Sequence, residues 1–104
     1  MRDLNIVYFT KGIRGSTCLE HILDAGYQVS VVVGVVKETE IDRLKDIYGF
    51  QTFFPEYINS PETVEILSSY QPDLQVLCGF NKILETPVIE IPPLGTINLH
   101  GGKL

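Results

Sequence analysis

Nearly continuous apolar runs alternate along the chain with stretches whose apolar positions recur every three or four residues. Leu4 to Phe9 (LNIVYF) is apolar and rich in β-branched and aromatic residues. Such a run suits a strand buried on both faces, as in a parallel sheet. Lys11 to Gly15 reads as a glycine-punctuated turn. The spacing then predicts a helix from about Ser16 or Thr17, with Thr17 and Glu20 as a capping box and Leu19, Ile22 and Leu23 as the apolar stripe. Gly26 is its stop. Gln28 to Val35 is a second buried strand. Thr39 is placed to cap a second helix, with Ile41, Leu44, Ile47 and Tyr48 on one face and Gly49 at its end. Gln51 to Phe54 is a short third strand. Ser60-Pro61 has the order of an N-cap followed by proline, so a third helix starts there and runs to about Tyr70. Leu74 to Cys78 is the fourth strand, Thr86-Pro87 opens a short helix before Pro92-Pro93, and Gly95 to His100 is the fifth strand.

Strands alternating with helices predict a Rossmann-like, doubly wound α/β fold, with helices on both faces of a parallel sheet. Strand order 3-2-1-4-5 is expected, with the flavodoxin-like 2-1-3-4-5 as its rival. At 104 residues the chain is one domain, without internal repeats or linkers. Its net charge of −5 argues against a stand-alone nucleic-acid binder. The longest apolar run, Val29 to Val36, falls far short of the roughly 20 residues of a membrane span. No signal-peptide pattern opens the chain, and two cysteines, Cys18 and Cys78, are too few for a disulfide-stapled secreted domain. A cytoplasmic location with both thiols reduced is the expectation.

Ligands of open α/β sheets sit beyond the carboxyl ends of the strands. Three ends carry candidate chemistry: Thr10-Lys11-Gly12, Gly79-Phe80-Asn81 and Asn98-Leu99-His100. Alternation along the last strand puts Thr96, Asn98 and His100 on one face. An asparagine amide there can donate to a developing oxyanion, and a histidine can move protons near neutral pH. The plainer reading is a pair of strand-end polar residues bonding backbone. Lys11, Gly12, Arg14, Gly15 and Ser16 open the first helix, where anions are favoured, so a substrate phosphate or carboxylate and a simple turn both fit. The segment is neither a dinucleotide fingerprint nor a Walker motif, and no acid closes the second strand. Cys18 and Cys78 are expected to be packing residues and His21 solvated. Glu38, Glu40 and Asp42 are expected at a solvated helix start. No metal site is expected.

The segment Ile91-Pro-Pro-Leu-Gly-Thr-Ile-Asn-Leu-His100, with Gly-Gly-Lys-Leu104 after it, resembles the active-site segment of the folate-dependent formyltransferases. Gln71 to Leu84 (QPDLQVLCGFNKIL) resembles their fourth strand and the loop beyond it, and the opening through Asp24 to Val29 is also compatible. The resemblance covers essentially the whole chain. It implies transfer of a formyl group from 10-formyltetrahydrofolate to a primary amine, of methionyl-tRNA, glycinamide ribonucleotide or sugar-amine type. Asn98 would then hydrogen-bond the formyl oxygen and His100 would stabilise the tetrahedral oxyanion and move protons. Phe80, Asn81, Lys82, Ile83 and Leu84 would line the pterin pocket. The family completes its catalytic set with an Asp downstream of the His, and this chain ends four residues after His100. The expectation is therefore the N-terminal part of such an enzyme, C-terminally truncated, weakly active alone and prone to self-associate through strand five. The alternative is a catalytically silent folate-binding or interaction module.

Overall fold

The computed structural model describes residues 3–99. Along these residues the elements alternate as β1 (Asn5–Thr10), α1 (Ile13–Asp24), β2 (Gln28–Val33), α2 (Thr39–Tyr48), β3 (Gln51–Phe53), α3 (Pro61–Ser69), β4 (Leu74–Cys78), α4 (Thr86–Ile89) and β5 (Thr96–Leu99). All strand pairings are parallel and the sheet order is β3-β2-β1-β4-β5. The expected order is therefore the one found, and the flavodoxin-like rival is not. Of the expected strand Gly95 to His100, the described part is β5; His100 lies outside the described residues.

Alternation along the strands sorts the apolar residues into two cores. Ile6, Tyr8, Val32, Val76 and Cys78 meet Leu19, Leu23, Ile41 and Leu44 of α1 and α2 on one face. Val7, Phe9, Val31, Val33 and Leu77 meet Leu67 and Val88 of α3 and α4 on the other. This is why β1 and β2 read as unbroken apolar runs: each is covered on both sides.

Two helix starts differ from the sequence reading. α1 begins at Ile13, and Thr17 is no cap: its Oγ1 donates to the Ile13 carbonyl 2.9 Å away, inside the helix. Gly12, with φ +89°, turns the chain sharply enough for the helix to start directly after β1. α2 is entered from Glu38, one residue before the expected Thr39. The third start is as expected: the Ser60 Oγ accepts from the Thr63 N–H at 3.1 Å, with Pro61 at the first helical position.

The amino-terminal pole of the sheet is tied by Asn5. Its Nδ2 donates to the Tyr70 and Gln71 carbonyls at 2.7 and 3.2 Å, and its N–H donates to Asp73 at 2.8 Å. At the β5 edge, Gln75 Nε2 donates to Thr96 Oγ1 and to the Val88 carbonyl, and Thr96 Oγ1 donates to the Ile89 carbonyl. Through these bonds α4 is fastened onto β4 and β5.

Candidate functional site

The order reverses between β1 and β4, so the crevice beyond their carboxyl ends is where an open sheet of this kind receives a ligand. On the β1 side, Lys11, Gly12 and Arg14 are exposed. The Gly12 N–H donates to both oxygens of the Glu38 carboxylate, at 3.1 and 3.2 Å. The opening of α1 thus attracts an anion, and one from this chain lies on it. Glu38, half-exposed at the start of α2 as expected, also links the loop after β2 to the loop after β1. Gly15 and Ser16 turn inward and are buried. A Cβ on Gly15 would collide with Thr10 Oγ1 and come within 2.6 Å of the Cys78 carbonyl oxygen. Ser16 Oγ donates to the Ile13 carbonyl. Of the predicted Lys11–Ser16 group, then, Lys11, Gly12 and Arg14 face outward.

Beneath this turn lies a small polar nest. Tyr8 Oη donates to the Gly15 carbonyl at 2.7 Å. Cys18 and Cys78, both free thiols, lie beside it. Burial, then the Cys18 and Cys78 thiols, push the Tyr8 hydroxyl far above the ordinary phenol range. Burial likewise pushes the Cys78 thiol up. A thiol held in this protonated state is a packing group rather than a nucleophile.

On the β4 side, the chain leaves the sheet through Gly79 at φ +74° and lays Phe80 edge-on against Phe9, ring centroids 5.4 Å apart. Phe80 and Lys82 form part of the wall of a cavity of about 680 Å³, whose other walls include Gly34, Phe54, Tyr57 and Asn59. It lies beyond the carboxyl ends of β2, β3 and β4. Its size is ordinary for a pocket that takes a cofactor-sized molecule. Asn81 and Ile83 are exposed, whereas Leu84 is buried in the core under α3 and α4. The run 80–84 therefore divides by side chain, with two residues on the cavity and one in the core.

Asn59 was not singled out from the sequence, where an asparagine before Ser60-Pro61 reads as a turn residue. Its Nδ2 donates to the Ile83 carbonyl at 2.8 Å and its Oδ1 accepts from the Glu85 N–H at 2.7 Å. Phe54 and Tyr57 were likewise missed, since an aromatic residue after a strand carries no local sign of what it will line.

Asn98 stands near the carboxyl end of β5, level with Leu77 of β4. Thr96 pairs with Gln75 and Asn98 with Leu77, so both point to the α3–α4 face, while Ile97 and Leu99 point to the other. Asn98 is exposed. It lies across β4 from the cavity, at the same end of the sheet. Among the described residues no cluster of three or more His, Cys, Asp or Glu side chains could hold a metal, and no helix is long and apolar enough to cross a membrane.

A family model described as formyl transferase matches residues 27–104. Methionyl-tRNA formyltransferase of Methylacidiphilum infernorum is 34% identical over 97% of this chain and 35% of its own length. That of Chloroflexus aggregans is 34% identical over 83% of this chain and 31% of its own. The chain thus spans about a third of the length of the curated relatives it matches. Among solved structures, glycinamide ribonucleotide transformylase 1 from Symbiobacterium toebii superimposes with a TM-score of 0.74, covering 93% of this chain and 51% of that one at 20% identity. Phosphoribosylglycinamide formyltransferase from Streptococcus pneumoniae gives 0.67 over 91% and 55% at 18% identity. At these identities the two structures speak for the fold.

Proposed function

The chain belongs to the formyl transferase family, and on that premise we propose that it is the N-terminal, Rossmann-like part of an enzyme that moves a formyl group from 10-formyltetrahydrofolate to a primary amine. The observation that carries the reading is one of placement. An aromatic cavity with a lysine on its wall, beyond the ends of β2, β3 and β4, and an outward asparagine on β5 lie at the same end of the sheet, where the strand order reverses between β1 and β4. The cavity's residues suit such a donor: Phe54, Tyr57 and Phe80 offer faces and edges to flat rings, and Lys82 offers a cation to a carboxylate.

The folate is a substrate that supplies an activated formyl carbon. The chain's residues have three tasks around it. Phe80 to Leu84 hold the ring system, through the Phe80 and Lys82 side chains and the backbone between them. The Asn98 amide donates to the formyl oxygen as the amine nitrogen adds to the carbon and charge gathers on that oxygen. His100 takes the proton that the added amine nitrogen must lose and gives it to the folate nitrogen as the bond from that nitrogen to the formyl carbon breaks, so that the formyl amide and tetrahydrofolate leave as neutral products. Lys11, Gly12 and Arg14 border the acceptor, whose amine is that of methionyl-tRNA, glycinamide ribonucleotide or an amino sugar. A cytoplasmic setting follows from this reading.

The test begins with the chain itself, titrated with tetrahydrofolate and followed by intrinsic fluorescence or calorimetry. Turnover is then assayed in the complete enzyme with 10-formyltetrahydrofolate and each of the three amines. Asn98→Ala should lower kcat by about 10²–10³ and His100→Ala by about 10²–10⁴. Near-normal turnover in both variants would sink the catalytic assignment. Folate binding with no transfer to any amine would favour a silent folate-holding module instead.

A further inference from the structure

The loop from Gly79 to Glu85 carries Phe80 and Lys82 to the cavity, yet its middle residues Asn81, Lys82 and Ile83 are all exposed. Exposed residues do not hold a loop in one shape by packing. Near its start the Phe80 ring rests on Phe9. At its far end the hold comes from Asn59, in the segment between β3 and α3. One amide group bonds twice there: Nδ2 to the Ile83 carbonyl at 2.8 Å and Oδ1 to the Glu85 N–H at 2.7 Å. The two bonds bracket Leu84 and keep it turned into the core.

The chemistry demanded at position 59 is narrow. A donor and an acceptor must leave one planar group side by side, at the reach of a single methylene. Aspartate accepts but cannot donate, serine and threonine offer one oxygen, and glutamine is one carbon too long. Asn59 also lines the cavity whose wall it steadies.

We propose that Asn59 is a positioning residue for the formyl donor: by clamping Ile83 and Glu85 it pre-shapes the Phe80–Leu84 loop and thereby sets folate affinity. This rests on the reading of that loop as the folate-binding loop. Without the clamp the loop must be ordered by the ligand, and part of the binding free energy is spent on that ordering.

The chain supplies its own control. Asn5 also makes two hydrogen bonds from a side-chain amide, both donated by Nδ2, to the Tyr70 and Gln71 carbonyls at the opposite pole of the sheet. Tetrahydrofolate is titrated into the wild-type chain, Asn59→Ala and Asn5→Ala, with urea unfolding and amide hydrogen exchange measured on each. Asn59→Ala should weaken tetrahydrofolate binding by about tenfold, the scale of one to two lost hydrogen bonds, and speed exchange at the Glu85 amide. Asn5→Ala should lower stability and leave affinity unchanged. A wild-type chain that binds and an Asn59→Ala variant that binds equally well would overturn the clamp alone. Equal loss of affinity in both variants would reduce Asn59 to general stability and overturn it too. A wild-type chain that binds no tetrahydrofolate would overturn the folate reading, and the inference with it, whatever the Glu85 amide does.

Discussion

Gly15 shows how one missing methyl group fixes the distance between a helix and a sheet. Its α-carbon sits where any Cβ would strike Thr10 and the Cys78 carbonyl oxygen, and the carbonyl, being part of the β4 ladder, has nowhere to move. Gly15→Ala should therefore destabilise by about 1–3 kcal/mol, the usual cost of overpacking, read from urea unfolding; an unchanged midpoint would show that α1 can lift freely. Tyr8 and Cys78, in the same nest, keep their protons beyond the ordinary range because they are buried. In the unfolded chain the thiol ionises from about pH 8.5 and the phenol from about pH 10. Above those values the unfolded state binds fewer protons than the folded one, so stability falls as pH rises. Tyr8→Phe should cost about 1 kcal/mol at neutral pH by removing the bond to Gly15, and should flatten the alkaline decline. Parallel declines for the two proteins up to about pH 11 would contradict the assignment. In the native chain a thiol reagent should find half-buried Cys18 and leave Cys78 untouched.

At the scale of elements, the helix starts separate what is local from what is not. Ser60→Ala should cost about 1 kcal/mol, since the Thr63 N–H loses its cap. Thr17→Ala should cost markedly less, because its hydroxyl merely bonds back to Ile13 within the helix. Thermal unfolding of the pair decides the point, and equal losses would restore Thr17 as a cap. Ser60-Pro61 was readable because everything it needs lies within four residues. The start of α1 was not. It depends on Gly12, whose N–H meets a carboxylate 26 positions along the chain, and that meeting exists only once β1 and β2 lie side by side. The strands were legible for the same reason as Ser60: burial on both faces writes itself into consecutive residues. The candidate site was legible in part. Phe80 and Lys82 follow the end of β4 and Asn98 lies inside β5 near its end, both strands that the sequence marks. Leu84 belongs to the core, and Asn59, which grips the loop from another segment, leaves no trace at short range.

For the molecule as a whole, the sheet is unevenly covered. Its centre, β1, is sealed on both faces, but β5 is the outermost strand among the described residues, with Ile97 46% and Leu99 39% exposed on the face away from Asn98. An apolar strip along an open strand edge favours association. The 104-residue chain is accordingly expected to self-associate through β5, more tightly at high salt, where the repulsion from its net charge of −5 is screened. Sedimentation at several concentrations is the measurement, with Ile97→Lys as the variant that should return it to monomer. A wild-type monomer across the micromolar range would contradict this expectation.

The central place of the first strand also bears on how the protein is made. Of the five described strands β1 leaves the ribosome before the others, and β2 can pair with one of its edges soon afterwards, but the other edge belongs to β4, which ends at Cys78. At about 5–20 residues per second, a nascent chain spends seconds with Ile6, Val7 and Tyr8 lacking their neighbours from Leu74 to Val76. During translation the most deeply buried strand of the finished protein is thus the one that waits longest half-clothed, and a chaperone that samples nascent chains would find its foothold there.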